Sequence, residues 1–246
     1  MPEPGNIDVV VLSAGQGLRL RPITENIPKA LVPLNQVPLL NYHLRALQSV
    51  GVRRVICVVG YLREKIAEFA GDGHRYGLEI QYVHQERPLG TGDAVLAAAP
   101  SIHSDVFGVI YSDTYFTQLA QLWDELISTP DAKIVCAQVP DASAYGRIVL
   151  QSGTDSPILH RVIEKDGNHS SGLVNTGMYL LPRTILSILP SLAPSARGER
   201  ELPSAVELLS SQGTSVTVIT TSGWVDIGSR ENLILAQRLV KGASPQ

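Results

Sequence analysis

The stretch IDVVVLSAGQGLRLRPITENIPKALVPL, residues 7–34, begins with a short apolar run, Ile7 to Leu12, that breaks into a glycine turn, Gly15-Gln16-Gly17. Arg19 and Arg21 follow at once, and Lys29 comes after Pro22 and Pro28. Glycine lets backbone N–H groups approach phosphate oxygens, because no Cβ intervenes and positive φ is open to it. Arg then offers a planar fork and Lys a point charge to offset phosphate charge. Strand, glycine turn and fixed cations, in that order, suit a nucleoside triphosphate. The turn by itself also reads as an ordinary strand-to-helix turn with surface arginines. It is not a complete dinucleotide fingerprint, since Leu20 stands where G-x-G-x-x-G needs its third glycine. No Gly-Lys-Ser/Thr follows, so it is not a P-loop either.

Outward from this stretch, apolar runs at 54–59, 78–83, 105–111 and 133–139 predict further buried strands. Between them apolar residues recur at helical spacing: Leu39, Leu40, His43, Leu44, Leu47 and Val50; Ile66, Phe69 and Ala70; 93–99; then Leu119, Leu122, Trp123 and Leu126. Alternation of strand and helix predicts an α/β fold, a three-layer, mostly parallel sheet with helices on both faces. Ligands of such sheets lie beyond the carboxyl ends of the strands, and Gly15 and Asp113 both fall just past predicted strand ends. The second half is richer in strands, at 146–151, 158–164, 173–181 and 215–221, with helices near 182–189, 202–210 and 230–240. No break in composition separates the halves, so residues 1–246 are expected to form a single domain in two lobes, about 7–140 and 141–240, with a frayed tail.

Composition narrows the function. Apolar residues make up 44% of the chain, yet no run approaches the roughly 20 residues that span a bilayer. The start, Met1 to Asn6, has no basic stretch and no apolar core, against a secretory leader. Cys57 and Cys136 each sit in an apolar run and read as buried small hydrophobes in a reducing, cytoplasmic setting. The six histidines show no metal-ligand spacing and are expected to be surface or satisfied groups. A formal net charge of −3 argues against a nucleic-acid partner, so a polyanionic ligand has to be met by local cations.

Three further constellations carry chemistry. Asp113, just past the strand at 105–111, is placed either to hold Mg²⁺ or to cap the next helix. Asp226, in Trp224-Val225-Asp226-Ile227-Gly228, is a second carboxylate at a strand end and its candidate partner. Gln85-Glu86-Arg87-Pro88-Leu89-Gly90-Thr91-Gly92 lies between a strand and an Ala-rich helix; Gly90 allows close backbone approach and Thr91 is a candidate cap. The bland account of the segment is a hairpin-like turn or a cap, although a Gln amide there offers a ligand both a donor and an acceptor. Tyr145-Gly146-Arg147, Glu164-Lys165 and Val174-Asn175-Thr176-Gly177 form a series able to bind sugar hydroxyls and a sugar phosphate, or to serve as turns.

Taken together, these segments resemble the sugar nucleotidyltransferase family, whose opening reads roughly L-A-A-G-x-G-T-R-L-x-P-x-T and then P-K-x-L-x-P. Leu12, Ala14, Gly15, Gly17, Arg19, Leu20, Pro22, Thr24, Pro28, Lys29, Leu31 and Pro33 match it in order, with Leu18 in place of the usual Thr or Ser. The likeness runs from about residue 7 to about residue 240, nearest to glucose-1-phosphate thymidylyltransferases and N-acetylglucosamine-1-phosphate uridylyltransferases. The hexapeptide repeats that longer members carry do not occur. The resemblance implies a Rossmann-like nucleotide-diphospho-sugar transferase fold with a smaller strand-rich sugar-binding lobe. It implies Mg²⁺ on Asp113 and Asp226, and phosphates met by Arg19 and Lys29. Nucleotide contacts would come from Leu12, Ala14, Gly15, Gly17, Gln85, Gly90 and Thr91. The sugar phosphate would meet Gly146, Glu164, Lys165 and Asn175. The reaction expected is transfer from UTP or dTTP to a sugar 1-phosphate, glucose-1-phosphate or N-acetylglucosamine-1-phosphate being favoured. A guanylyltransferase, a cytidylyltransferase and a silent nucleotide-sugar sensor remain alternatives, and members are often oligomers, so a homo-oligomer is open.

Overall fold

Runs that are apolar at every position can be strands only if both of their faces are covered, and that is how they fold. The computed structural model describes residues 3–154, 156–163, 167, 169–195 and 197–242. Glu164, Lys165 and the tail beyond Gly242 lie outside the described residues.

In chain order the first half comprises β1 (Asp8–Ser13), a short hairpin of β2 (Pro33–Leu34) and β3 (Val37–Pro38), α1 (Leu39–Ser49), β4 (Arg54–Val59), α2 (Arg63–Ala70), β5 (Glu79–His84) and α3 (Thr91–Ala98). β6 (Val106–Tyr111), β7 (Thr114–Phe116), α4 (Leu119–Leu126) and β8 (Ala132–Val139) complete it. The second half supplies β9 (Arg147–Leu150), β10 (Leu159–Ile163), β11 (Gly172–Pro182), α5 (Ile185–Ile188), α6 (Leu202–Ser211), β12 (Val216–Thr221), β13 (Trp224–Asp226) and α7 (Arg230–Gly242).

β6, β1, β4 and β5 lie side by side and parallel, with Leu12 opposite both Val58 and Tyr111. Successive residues of these strands point to opposite faces. Val9, Val11, Val55 and Cys57 therefore enter one core with Leu44 and Leu47 of α1, Ile66 of α2 and Trp123 of α4. Val10, Ile56, Val58, Phe107 and Val109 enter another with Val95 of α3, Ile185 of α5 and Val206 of α6. Both cysteines are free and buried, and burial pushes the Cys57 thiol up to about 12, as expected of structural thiols.

Strands β9 to β12 of the second half do not build a separate sheet. β11 is long enough to pair antiparallel with β6 through Met178–Pro182 and with β8 through Gly172–Leu180, so the sheet continues across it to β9 and β10. β12 adds parallel to β8. The register of β11 against β8 slips between Asn175 and Met178, and this irregularity faces the carboxyl edge of β6. A third core of Leu20, Val32, Leu34, Leu39, Tyr115, Val225, Ile227, Leu233 and Ala236 pins the 18–34 loop against α7 and the short strands β7 and β13. Among the described residues, no helix is long and apolar enough to cross a membrane.

One histidine departs from expectation. His43 of α1 is 1% exposed, and neither ring nitrogen has a hydrogen-bond partner. It is thus neither on the surface nor satisfied, because its helical position belongs to the apolar stripe that faces the sheet. Burial pushes its pKa down to about 4, against the opposing pull of the Thr114 backbone and the Asp113 carboxylate. The folded protein therefore keeps this ring neutral while the unfolded chain takes up a proton below its ordinary value of 6.5. Stability is unaffected above that pH and is lost as pH falls towards 4. Urea denaturation at pH 7 and pH 5 should show wild type losing about 2 kcal/mol more than His43→Leu. Equal losses in the two proteins would show that the folded state protonates this ring.

Candidate active site

The carboxyl ends of β1 and β6, neighbours in the sheet, open one cleft of about 350 Å³. Its floor is the end of β1 and the turn after it: Leu12, Ser13, Ala14 and Gly15 line it, with Arg19 and Lys29 from the loop that the third core pins. Gly17 does not line the cleft. It is left-handed (φ +66°), and its carbonyl accepts a hydrogen bond from Thr24 Oγ1 at 2.7 Å, which closes the loop from below. Leu18, the departure from the family pattern, is 58% exposed and also stands away from the cleft.

Asp113 and Asp226 meet through a pairing too short to be visible in sequence. β7 and β13 run antiparallel with Asp226 opposite Thr114, and Ile227 N donates to Asp113 O at 2.8 Å. The two carboxylates share one cation from the chain itself: Lys29 Nζ lies 2.5 Å from Asp113 Oδ2 and 3.7 Å from Asp226 Oδ1. Burial raises the Asp113 pKa, but the Lys29 ammonium and, less strongly, the Arg19 guanidinium outweigh it, so the carboxyl is held below its ordinary range. It is ionised at neutral pH. Gly228 lies against this cluster. A Cβ there would fall 2.4 Å from Asp226 Oδ2 and 2.9 Å from Arg19 Nη2. Two hard carboxylate oxygens drawn onto one positive centre form a donor set that fits a divalent cation of the Mg²⁺ kind. Asp113 does not cap α4, whose N-cap is Gln118.

Gln85, Pro88, Gly90, Thr91 and Ala94 form one wall. The Gln85 amide nitrogen donates to Gly90 O at 3.1 Å and to Asp93 Oδ2 at 3.0 Å. Both partners are acceptors, so the amide orientation is fixed and its carbonyl oxygen is what remains to face a ligand. Thr91 begins α3 but does not cap it; its hydroxyl accepts from Leu202 N at 2.9 Å and donates to Glu201 at 3.3 Å. Gly90 (φ +106°) packs so closely on this segment that a Cβ would lie 2.4 Å from Arg200 O.

Tyr145, Gly146, Asn175, Thr176 and Trp224 make the opposite wall. Asn175 N donates to Gly146 O at 3.2 Å, and Gly177 N donates to Asn175 Oδ1 at 2.9 Å, so the β11 irregularity locks these two residues together. Trp224 Nε1 donates to Thr176 O at 3.1 Å, and its ring meets Tyr145 edge-on at 5.4 Å. Arg197, Glu199 and Glu201 also line the cleft, and the sequence reading missed them. Arg197 pairs with Glu201 and lies 3.5 Å from Glu199. The available signal was the alternation of charge in Arg197-Gly198-Glu199-Arg200-Glu201 directly before an apolar helix.

Twelve residues predicted from sequence thus share one cleft: Leu12, Ala14, Gly15, Arg19, Lys29, Gln85, Gly90, Thr91, Asp113, Gly146, Asn175 and Asp226.

Residues 8–242 match the family described as Nucleotidyl transferase. A glucose-1-phosphate thymidylyltransferase of Streptomyces griseus is 33% identical over 234 residues, covering 94% of this chain and 65% of that protein. The UTP–glucose-1-phosphate uridylyltransferase AglF of Haloferax volcanii is 33% identical over 247 residues, covering 98% of this chain and 99% of its own length. A crystal structure from Bacillus anthracis, assigned as a glucose-1-phosphate thymidylyltransferase and solved with sucrose, superposes with a TM-score of 0.85 at 25% identity over 96% of this chain and 95% of that one. This chain spans between about half and two thirds of the first curated relatives it matches, though nearly all of AglF. A match along nearly the whole chain, with the cleft at the carboxyl edge of the sheet, makes this chain a member of the nucleotidyl transferase family.

Proposed function

We propose that the chain is a magnesium-dependent nucleotidyltransferase that joins a sugar 1-phosphate to a pyrimidine nucleoside triphosphate and releases pyrophosphate. The observation that carries this reading is the convergence of Arg19, Lys29, Asp113 and Asp226 at the strand ends, between a wall with a fixed amide and a wall with Gly146 and Asn175. Residues 7–140 hold the nucleotide and residues 141–240 the sugar phosphate, within one domain. A setting in the cytoplasm fits the two buried thiols.

The acceptor phosphate is already ionised near pH 7, so no general base is needed. Its oxygen attacks the α-phosphorus in line, the bond to the β-phosphate oxygen breaks, and pyrophosphate departs. The protein contributes position and charge. Arg19 offsets the charge that builds on pyrophosphate, and Lys29 holds the phosphates near the α position. Lys165 orients the sugar phosphate, while Glu164, Asn175 and the backbone at Gly146 bind the sugar. Asp113 and Asp226 hold Mg²⁺, which supplies shielding between like-charged phosphates. The Gln85 carbonyl oxygen accepts an imino N–H, which uracil and thymine present at N3. Cytosine and adenine offer only an acceptor at the corresponding ring nitrogen. Guanine has an imino N–H too, so the nucleotide panel below separates it from the pyrimidines.

Pyrophosphate release with Mg²⁺, across five nucleoside triphosphates and a panel of sugar 1-phosphates, should show strong turnover with UTP or dTTP and glucose-1-phosphate or N-acetylglucosamine-1-phosphate. Asp113→Asn should cut that turnover by about 10²-fold or more. Silence across the panel with nucleotide still bound points instead to a sensor, and wild-type rates in the variant remove Asp113 from the site.

Gln85→Glu loses both amide donors and sets a second carboxylate beside Asp93. It should lower kcat/KM for UTP or dTTP about tenfold or more, while rates with CTP change less. An unchanged preference among bases takes Gln85 out of base recognition.

A further inference from the structure

Lys29 occupies an unusual place for a residue that meets phosphates. It begins a 3₁₀ turn, Lys29–Leu31, directly after the extended Pro28. The side chain is 10% exposed, and it points towards the two carboxylates of the cleft. Its ammonium makes a charge-assisted hydrogen bond of 2.5 Å to Asp113 Oδ2 and lies 3.7 Å from Asp226 Oδ1. It therefore stands on the side of Asp113 that faces Asp226. A divalent ion held by both residues needs that same space, and two cations drawn to one Asp113 oxygen repel each other strongly in a partly buried site.

From this geometry we infer that Lys29 is a resident counter-ion that keeps the divalent-metal seat closed in the free protein and vacates it when a polyphosphate offers the ammonium a new partner. The inference rests on the assignment of Asp113 and Asp226 as metal ligands made above. It gives Lys29 two states within reach of one flexible stem. In one it neutralises two adjacent carboxylates that otherwise destabilise each other. In the other it neutralises phosphate oxygens, and the carboxylates become available to metal. Metal and polyphosphate are then coupled through Lys29 beyond their own affinity for each other, and that coupling is reciprocal. The free protein should bind divalent metal weakly, and metal should enter together with the nucleotide.

The test is a titration of the full chain with Mn²⁺ alone, without nucleotide, followed by electron paramagnetic resonance. Three proteins are compared: wild type, Lys29→Met, and the double variant Lys29→Met with Asp113→Asn. Removing the ammonium should tighten binding of one Mn²⁺ by at least about tenfold over wild type, within the ordinary range of coupling between sites. The double variant should lose that gain. Mn²⁺ should also raise the Tm of Lys29→Met more than that of wild type. If Met at this position prevents folding, Lys29→Gln provides the same comparison with a polar side chain of similar length.

Equal Mn²⁺ affinity in wild type and the Lys29 variant overturns the counter-ion role. A gain that survives in the double variant overturns it too, because the metal is then not held by Asp113. The reaction assignment fails separately. Pyrophosphate release by a wild type whose Mn²⁺ affinity equals that of the variant refutes only the counter-ion. A tenfold gain without any pyrophosphate release refutes only the reaction.

Discussion

Two carboxylates held next to each other at the edge of a sheet are the constraint around which this cleft is organised. Asp113 follows β6 directly, but Asp226 comes from a distant part of the chain and arrives only because β13 pairs with β7 and Ile227 N bonds to Asp113 O. Like charges so placed repel, and the repulsion is met locally: Lys29 lies between them and the guanidinium of Arg19 sits close beside Asp226 across Gly228. The net charge of the chain is −3, so no global field draws a polyanion in. The site instead depends on two cations aimed by a loop that a few buried residues anchor. That loop is fixed by apolar residues, Leu20, Val32 and Leu34, which belong to the same core as Val225 and Ile227 beside Asp226. Packing and electrostatics therefore act on one unit.

The sheet explains why the two walls differ. Parallel strands β1, β4 and β5 place the amide of Gln85 past the end of β5, next to the glycine turn. The far wall is built from an antiparallel extension, in which β11 serves two neighbours and slips register at Asn175. Irregularities of this type re-aim side chains beside functional sites. Here the slip turns Asn175 and Thr176 towards the cleft and brings Trp224 onto the Thr176 carbonyl.

Much of this was legible in the chain. Strands β1, β4 and β6 were readable because they are apolar at nearly every position, and α1 and α4 because their apolar spacing is regular. The glycine turn and Asp113 were readable because they sit just past strand ends, and Lys29 and Asp226 because their surrounding residues match the family pattern. β7 and β13 were not, since three residues cannot display a period. Arg197, Glu199 and Glu201 look like a charged surface loop until α6 brings them against Thr91. His43 was misread because its apolar helical position conveys burial but not whether its nitrogens find partners. Thr91 sits where a cap is expected, yet tertiary contacts with Glu201 and Leu202 claim its hydroxyl instead.

The central claim is that Asp113 and Asp226 together hold a divalent ion when a triphosphate occupies the cleft. Crystals grown with Mn²⁺ and a non-hydrolysable UTP analogue, measured at the manganese absorption edge, test it most directly. The account predicts an anomalous peak within bonding distance of both carboxylates, with the Lys29 ammonium on phosphate oxygens. A peak on the triphosphate alone, with Lys29 still bridging Asp113 and Asp226, would contradict it.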